Sequence, residues 1–409
     1  MNLKVIELFA GAGGFRLALE TAFFNEKKFD FVWFNQYEKG EKKQFAYNCY
    51  CKNFNDLKTP LANEDLFTIK SDQIPDHDLL VAGFPCQDYS VAKSRLISSG
   101  LKGEKGSLFW QIIRILKDKK TPYFLLENVD RLIASPFSQR GKDFSDILLA
   151  LSGLGYGIEW RVIKSSDYGD PQNRRRIYIF GYKNDTNIYK KYQNISSIHE
   201  GFFEKAFKSA KIYPKEIDLF DQDYHTYYVQ ESTYNLNKVN KADPIMYFNA
   251  GLCFNGVVKT FKTLPDQQRS KPLKDILESN VADSFYLTND QIEKVRFLKS
   301  KKRIPKQKEN GFSYIYQEGQ MAFPDPIDKP ARTIITGEGK VNRSTHVIND
   351  GKGLRFLTPI EVERINGFPD NWTAHVPIRK RYLIMGRGIS ISILQRISVA
   401  LYNEVKPFV

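Results

Sequence analysis

The chain has 409 residues, with 61 Lys and Arg against 47 Asp and Glu and a formal net charge of +14. That length accommodates a full α/β core plus a second, smaller domain, and the cationic excess favours a polyanionic partner, nucleic acid foremost. Four cysteines, none with Cys or His at zinc-ligand spacing, exclude a disulfide framework, and no apolar run is long enough to span a bilayer. Because Met1 to Val5 runs directly into a strand pattern, the expectation is a reduced, cytoplasmic, metal-free protein.

Lys4 to Phe9 alternates and then turns apolar, which predicts a first strand, followed by the turn Ala10-Gly11-Ala12-Gly13-Gly14 and a helical pattern from Phe15 to Phe24. Strand, glycine turn and helix suit a nucleotide-binding opening, but the spacing departs from G-x-G-x-x-G, and such turns also serve packing alone. Phe29 to Phe34 reads as a second strand with Asn35-Gln36-Tyr37-Glu38 at its carboxyl end, where a doubly wound sheet meets a ribose hydroxyl. Lys42 to Tyr50 reads as a helix, and Glu64-Asp65-Leu66 follows a turn.

Asp78 to Ala82 is a buried strand leading into Gly83-Phe84-Pro85-Cys86-Gln87. Glycine permits a sharp turn there and proline stiffens the residue before the thiol, so Cys86 is either a presented nucleophile or a core cysteine. The long segment from Asp88 to Lys105, with Gly100, Gly103 and Gly106 as pivots, is either a lid or a plain surface loop. Leu108 to Leu116 is an amphipathic helix, and Tyr123 to Val129 is an apolar strand ending abruptly in Glu127-Asn128. Ile147 to Leu154, Trp160 to Ile163 and Ile177 to Gly181 continue the alternation, the last preceded by Gln172-Asn173-Arg174-Arg175-Arg176, which predicts a parallel α/β sheet.

Beyond about residue 184 the apolar runs shorten and helix periodicity is broken. Lys299 to Lys308 is densely basic, either a solvated loop or a phosphate contact, amid interleaved Tyr and Phe that suit a nucleic-acid-facing domain. Order returns at Ala331 to Thr336; Thr358-Pro359 opens a helix with an N-cap and proline at its first position, and Gly388 to Tyr402 becomes helical.

Together these stretches resemble a DNA (cytosine-5) methyltransferase of the bacterial restriction–modification kind, over nearly the whole chain and in the family's motif order. The carrying residues are Phe9 to Gly14, Gly83 to Gln87, Glu127-Asn128-Val129, Gln172-x-Arg174-x-Arg176, Arg332-Thr333 and Gly386 to Ile397. The resemblance implies a Rossmann-like S-adenosylmethionine-dependent methyltransferase sheet with a smaller, irregular target-recognition domain. The boundaries expected are 1–183 for catalysis and cofactor, 184–374 for target recognition, and 375–409 returning to the catalytic domain. Cys86, Glu127, Asn128, Arg174 and Arg176 are then the catalytic set. S-adenosylmethionine is held by Phe9, Gly11, Gly13, Gly14, Asp65, Leu66, Pro85 and Leu108, with Gln36 or Glu38 on the ribose. Gln36 stands where the family carries an acid. Arg387 replaces the family's Asn, either pairing with the cofactor carboxylate or obstructing the pocket.

Double-stranded DNA is the implied partner, contacted by Gln87, Ser90, Gln172, Arg332, Thr333 and the basic Lys301, Lys302 and Arg303. A cognate restriction endonuclease is the genetic partner, and a monomer is expected. The roughly 150 residues between Arg176 and Arg332 favour DNA over the alternative of a tRNA cytosine-5 methyltransferase of the same fold. A catalytically impaired DNA-binding regulator is the other alternative; intact Cys86 and Glu127 argue against it.

Overall fold

The computed structural model describes residues 2–24, 26–55, 61–85, 108–136, 140–195, 198–210, 224–228, 247–307 and 313–406, with backbone only at 61, 224–228, 306 and 314. Cys86, Gln87, Ser90 and the loop expected from Asp88 to Lys105 lie outside the described residues. Two compact units divide the chain. The first comprises Met1–Tyr168, Arg175–Gln268 and Ile391–Val409; the second comprises Gly169–Arg174 and Arg269–Ser390. The first unit therefore extends well past the boundary expected at 183, and the returning segment begins at 391 instead of 375.

The first unit opens with β1 (Leu3–Leu8), α1 (Gly14–Thr21), β2 (Phe29–Asn35), α2 (Phe45–Phe54), β3 (Leu61–Ala62), β4 (Leu79–Gly83), α3 (Leu108–Lys119) and β5 (Tyr123–Val129). It continues with α4 (Lys142–Gly153), β6 (Tyr156–Lys164), β7 (Arg175–Lys183), α5 (Asn187–Tyr192), α6 (Phe202–Ala206), β8 (Ser209–Ala210), β9 (Tyr224–Tyr228), β10 (Ala250–Phe254), β11 (Val257–Phe261) and β12 (Leu264–Pro265). One ten-stranded sheet has the order β3-β2-β1-β4-β5-β7-β6-β10-β11-β9. Strands β3 to β5 along that order are mutually parallel, whereas β7 runs antiparallel to both β5 and β6. The continuous apolar runs Leu79-Leu80-Val81-Ala82 and Tyr123 to Leu126 are buried throughout, as strands covered on both faces require. The order reverses between β1 and β4, so their carboxyl ends open the crevice where α/β sheets bind ligands.

The segment read as irregular after residue 184 contributes β10, β11 and β9 to this sheet, paired antiparallel beyond β6. Its strands are short and lack the strand–helix alternation that betrayed the first half.

In the second unit, α7 (Asn289–Lys299) is followed by β13 (Lys302–Gln307) and β14 (Ser313–Glu318), which form a separate ribbon; β15 (Val347–Asn349) and β16 (Leu354–Phe356) form another. Then come α8 (Pro359–Asn366) and α9 (Ile378–Arg387). Thr358 caps α8 as expected: its hydroxyl accepts from the Glu361 amide, while the Glu361 carboxylate accepts from the Thr358 amide. The final helix, α10 (Ile391–Val405), belongs to the first unit. There the Tyr402 ring meets Phe23 and Phe29 edge-on at 5.3 and 5.9 Å, and Gln395 donates to the Thr21 hydroxyl at 2.9 Å.

One acid in the first core stands out. Glu7, the penultimate residue of β1, is fully buried, with Arg16, the Phe15 backbone and Tyr50 close to its carboxyl. Burial pushes its carboxyl from 4.5 up to about 8, against the lowering effect of the nearby Arg16 charge. Folded protein thus keeps Glu7 neutral at pH 7, whereas the unfolded chain ionises it above about 4.5. Stability therefore falls as pH rises from about 4.5 to about 8, by at most about 1.4 kcal/mol per pH unit from this group. Glu7→Gln removes that slope. Denaturant unfolding from pH 5 to pH 8 is expected to show the variant gaining on the wild type as pH rises; parallel profiles would contradict it.

Candidate active site

The loop after β1 is bent by left-handed backbone at Phe9 (φ 55°), Gly11 (φ 58°) and Gly13 (φ 81°). The two glycines have different reasons. A Cβ on Gly13 would lie 2.2 Å from the Phe54 ring and 3.0 Å from Tyr50, so its demand is close packing of the loop against α2. A Cβ on Gly11 would meet nothing within 4 Å, leaving open space beside the β1 end. Gly14 begins α1.

The Gly11 amide donates to the Gln36 side-chain oxygen at 2.7 Å. Gln36 is thus a brace for the glycine loop, a task that the reading of its position as a ribose partner missed. Asn63 supports it in turn, donating to the Gln36 carbonyl at 2.7 Å, and Asn35 donates to the Glu64 carbonyl at 2.9 Å. Glu38 is half-buried, with its backbone clasped on both sides by the Gln44 amide. Asp65 is half-buried and accepts from the Phe67 amide at 3.1 Å, while Leu66 is buried in the hydrophobic core with Ile69 and Ile112. Its neighbour Phe67 is the exposed apolar side chain there, 53% accessible.

At the next strand ends, Gly83 pairs in register with Glu127. The position of a Gly83 Cβ lies 3.5 Å from a Glu127 carboxylate oxygen and 3.8 Å from the Phe15 ring. Asn128 donates to the Phe84 carbonyl at 3.3 Å and accepts from the Val129 amide at 2.8 Å, fixing the stem that leads to Cys86. Pro85 and Leu108 are half-buried on either side of the undescribed loop.

Strand β7 supplies the cation. Val129 lies opposite Arg176 and Glu127 opposite Tyr178, so Glu127 and Arg176 are diagonal neighbours on one face, within reach of long side chains. The Arg176 Nε stands 3.0 Å from a Glu127 oxygen, and Glu127 is 7% accessible. A nearly buried carboxylate with one arginine beside it at a sheet's carboxyl edge is equipped to bind a planar polar group carrying both donors and acceptors.

The rest of Gln172-x-Arg174-x-Arg176 does something else, and here the expectations need correcting. Gln172 is fully buried in the second unit. Its amide donates to Asn366 at 2.9 Å and accepts from the Ile334 amide at 3.1 Å, so it is not available to DNA. Arg174 is 3% accessible and donates to the Gly388 carbonyl, a bracing role. Arg332 donates to Asp325 at 2.8 Å and to the carbonyls of Ser344 and Thr345, and Thr333 donates to the Asn173 carbonyl. Thr333 therefore ties down the Gln172 segment, while Arg332 joins Asp325 to the Ser344–Thr345 turn. Arg387 is exposed at the end of α9. Of the basic run, Lys299 is buried against Asp325 and Lys302 is engaged with Glu318, while Lys301 and Arg303 are exposed.

Sheet order and site geometry define a class: an α/β methyltransferase-type sheet with an acid and an arginine at its carboxyl edge. The comparisons make it particular. The profile of the C-5 cytosine-specific DNA methylases matches residues 3–403, and the chain belongs to that family. It is 43% identical over 404 residues to the Type II methyltransferase M.Sau3AI of Staphylococcus aureus, covering 97% of this chain and 94% of that one. It is 28% identical to M.NlaIV of Neisseria lactamica, covering 99% and 100%. Among solved structures, the Entamoeba histolytica methyltransferase EhMeth superposes with a TM-score of 0.60 and S. pombe Dnmt2 with 0.57. Each match covers 99% of both chains, at 17% and 16% identity, a likeness of fold.

Removing the Gln172 amide strands the Ile334 amide and the Asn366 side-chain oxygen in the interior, at about 1–3 kcal/mol for each buried group left unpaired. Gln172→Ala is expected to lower unfolding stability by a few kcal/mol in a denaturant titration. Unchanged stability with weakened DNA binding would restore the DNA-contact reading.

Proposed function

We propose that this chain methylates C5 of a cytosine within a short duplex DNA sequence, as the protective methylase of a restriction–modification system with a cognate endonuclease as its genetic partner. The single observation that carries the mechanism is the Glu127–Arg176 pair beside the Gly83-Phe84-Pro85 stem that leads to Cys86. Cytosine C5 is a poor nucleophile. Addition of the Cys86 thiolate to C6 forms a carbon–sulfur bond and pushes electron density onto C5 and N3, making C5 enamine-like. Glu127, protonated or sharing a proton, donates to N3 and Arg176 donates to the O2 oxygen, where negative charge accumulates, and such preorganised contacts strengthen as the charge develops.

S-adenosylmethionine, when bound, supplies an electrophilic methyl group. The open space at Gly11, at the point where strand order reverses, fits such a ligand. Phe9, Gly11 and Gly14 would line it, Asp65 would face its adenine amine, and Gln36 or Glu38 its ribose, with Pro85 and Leu108 completing the pocket. Once C5 is methylated, a base takes the C5 proton and the Cys86 thiolate departs, restoring the aromatic ring. The cytosine must leave its stack for this chemistry, at a cost of a few kcal/mol.

Purified protein with tritiated S-adenosylmethionine is expected to label duplex DNA, and Cys86→Ser to abolish labelling. A duplex carrying 5-fluorocytosine at the target is expected to trap the protein covalently, because fluorine cannot leave as the C5 proton does. Labelling of tRNA with DNA left unlabelled, or labelling without an adduct, would contradict the reading.

A further inference from the structure

The ribbon β13–β14 of the second unit is built unlike the rest of the molecule. Its root is pinned. Arg343 stands 3.3 Å from Glu318 and donates to the carbonyls of Leu298, Ser300 and Gly319; Lys302 donates to the Leu298 carbonyl at 3.2 Å and lies over the Phe297 ring. Above the root, Arg303, Ile304, Pro305, Gln307, Ser313, Ile315, Tyr316 and Gln317 are all exposed, so both faces of the ribbon meet solvent. Two strands with no covering layer are marginally stable alone, and Ile304 (40%) and Ile315 (54%) leave apolar area open. Such a ribbon is completed by something that fills the space on its faces.

One pair on it points to what that is. Arg303 and Gln317 lie directly opposite each other across the two strands. Both are exposed, and neither side chain has a hydrogen-bond or ionic partner among the described residues. Several arginines of this unit are engaged internally: Arg355 forks onto Glu361, Arg364 forks onto Asp370, and Arg332 donates to Asp325, whereas Arg269 and Arg379 are exposed as Arg303 is. Arg303 is set apart by its place on the uncovered ribbon, directly opposite Gln317.

We infer that the β13–β14 ribbon enters the DNA major groove and that Arg303 and Gln317 read two neighbouring base pairs, Arg303 a guanine and Gln317 an adenine. A two-stranded ribbon fits the major groove, about 12 Å wide, where arginine pairs bidentately with guanine O6 and N7 and glutamine with adenine N6 and N7. Opposed Cβ atoms about 5 Å apart suit successive base steps about 3.4 Å apart. Lys301, exposed at the root, meets the phosphate backbone and carries no sequence information.

This inference rests on duplex DNA being the substrate, and its test separates the two. Wild type and the Arg303→Ala, Gln317→Ala and Lys301→Ala variants are each given a duplex library randomised around cytosine, and methylation is read by bisulfite sequencing. Arg303→Ala is expected to relax one G·C position by roughly 10- to 100-fold, and Gln317→Ala an adjacent A·T position by a similar factor, with the other positions kept. Lys301→Ala is expected to slow all sequences equally and to reduce the salt slope by about one. Unchanged preference in both Arg303→Ala and Gln317→Ala, or an equal loss across all sequences, overturns the ribbon assignment while leaving the enzyme reading intact. A wild type that methylates no duplex overturns both.

Discussion

The site depends on the insertion of one antiparallel strand beside β5. Because β7 runs against its neighbour, Arg176 is delivered diagonally to Glu127 at the sheet's carboxyl edge. A parallel strand would present its other end there. Glu127 is nearly buried, and burying an unpaired carboxylate costs several kcal/mol. The carboxylate and the guanidinium thus hold each other in place, while Asn128 ties the same strand end to the Phe84 carbonyl. Acid, cation and the stem of the Cys86 loop are consequences of one register.

The second unit solves a different problem, stabilising a small core with buried charge. Asp325 accepts from Lys299, Arg332 and the Val347 amide. Burial pushes its carboxyl up, but the Arg332 hydrogen bond and the neighbouring His346, Arg332 and Lys299 outweigh this and hold it below its ordinary value. Glu338 accepts from the His346 ring and amide. Arg355 is fully buried between Asp350 and Glu361. These buried cations are matched by buried acids and are not available to a polyanionic partner.

The first half of the fold was legible because it obeys short-range rules: apolar runs ending in glycine or a carboxylate, and helical stripes between them. Thr358-Pro359 announced α8 for the same reason. What sequence reading missed depends on distant partners. Gln172 looked like a DNA contact until its bonds to residues 162 and 194 positions away were seen. Gln36 looked like a substitute for an acid, yet it supports the Gly11 amide 25 positions earlier. Both were read from motif position, and nothing local marks a glutamine as buried. Helix α7 carried a legible signal, Thr288 with Gln291 three residues on, passed over amid the basic and aromatic residues around it. The basic run read as one feature because charge is visible in a sequence and burial is not; the fold separates Lys299 in the core from Arg303 on the ribbon.

Whether Glu127 and Arg176 act on the target base as one unit is read directly from a double-mutant cycle in single-turnover methylation. Glu127→Gln and Arg176→Lys are each expected to slow transfer by about 10²–10³-fold. The double variant is expected to be little slower than the worse single variant, a strong coupling typical of groups that share one interaction. Losses that simply multiply in the double variant would show that the two side chains act independently, and would contradict the account.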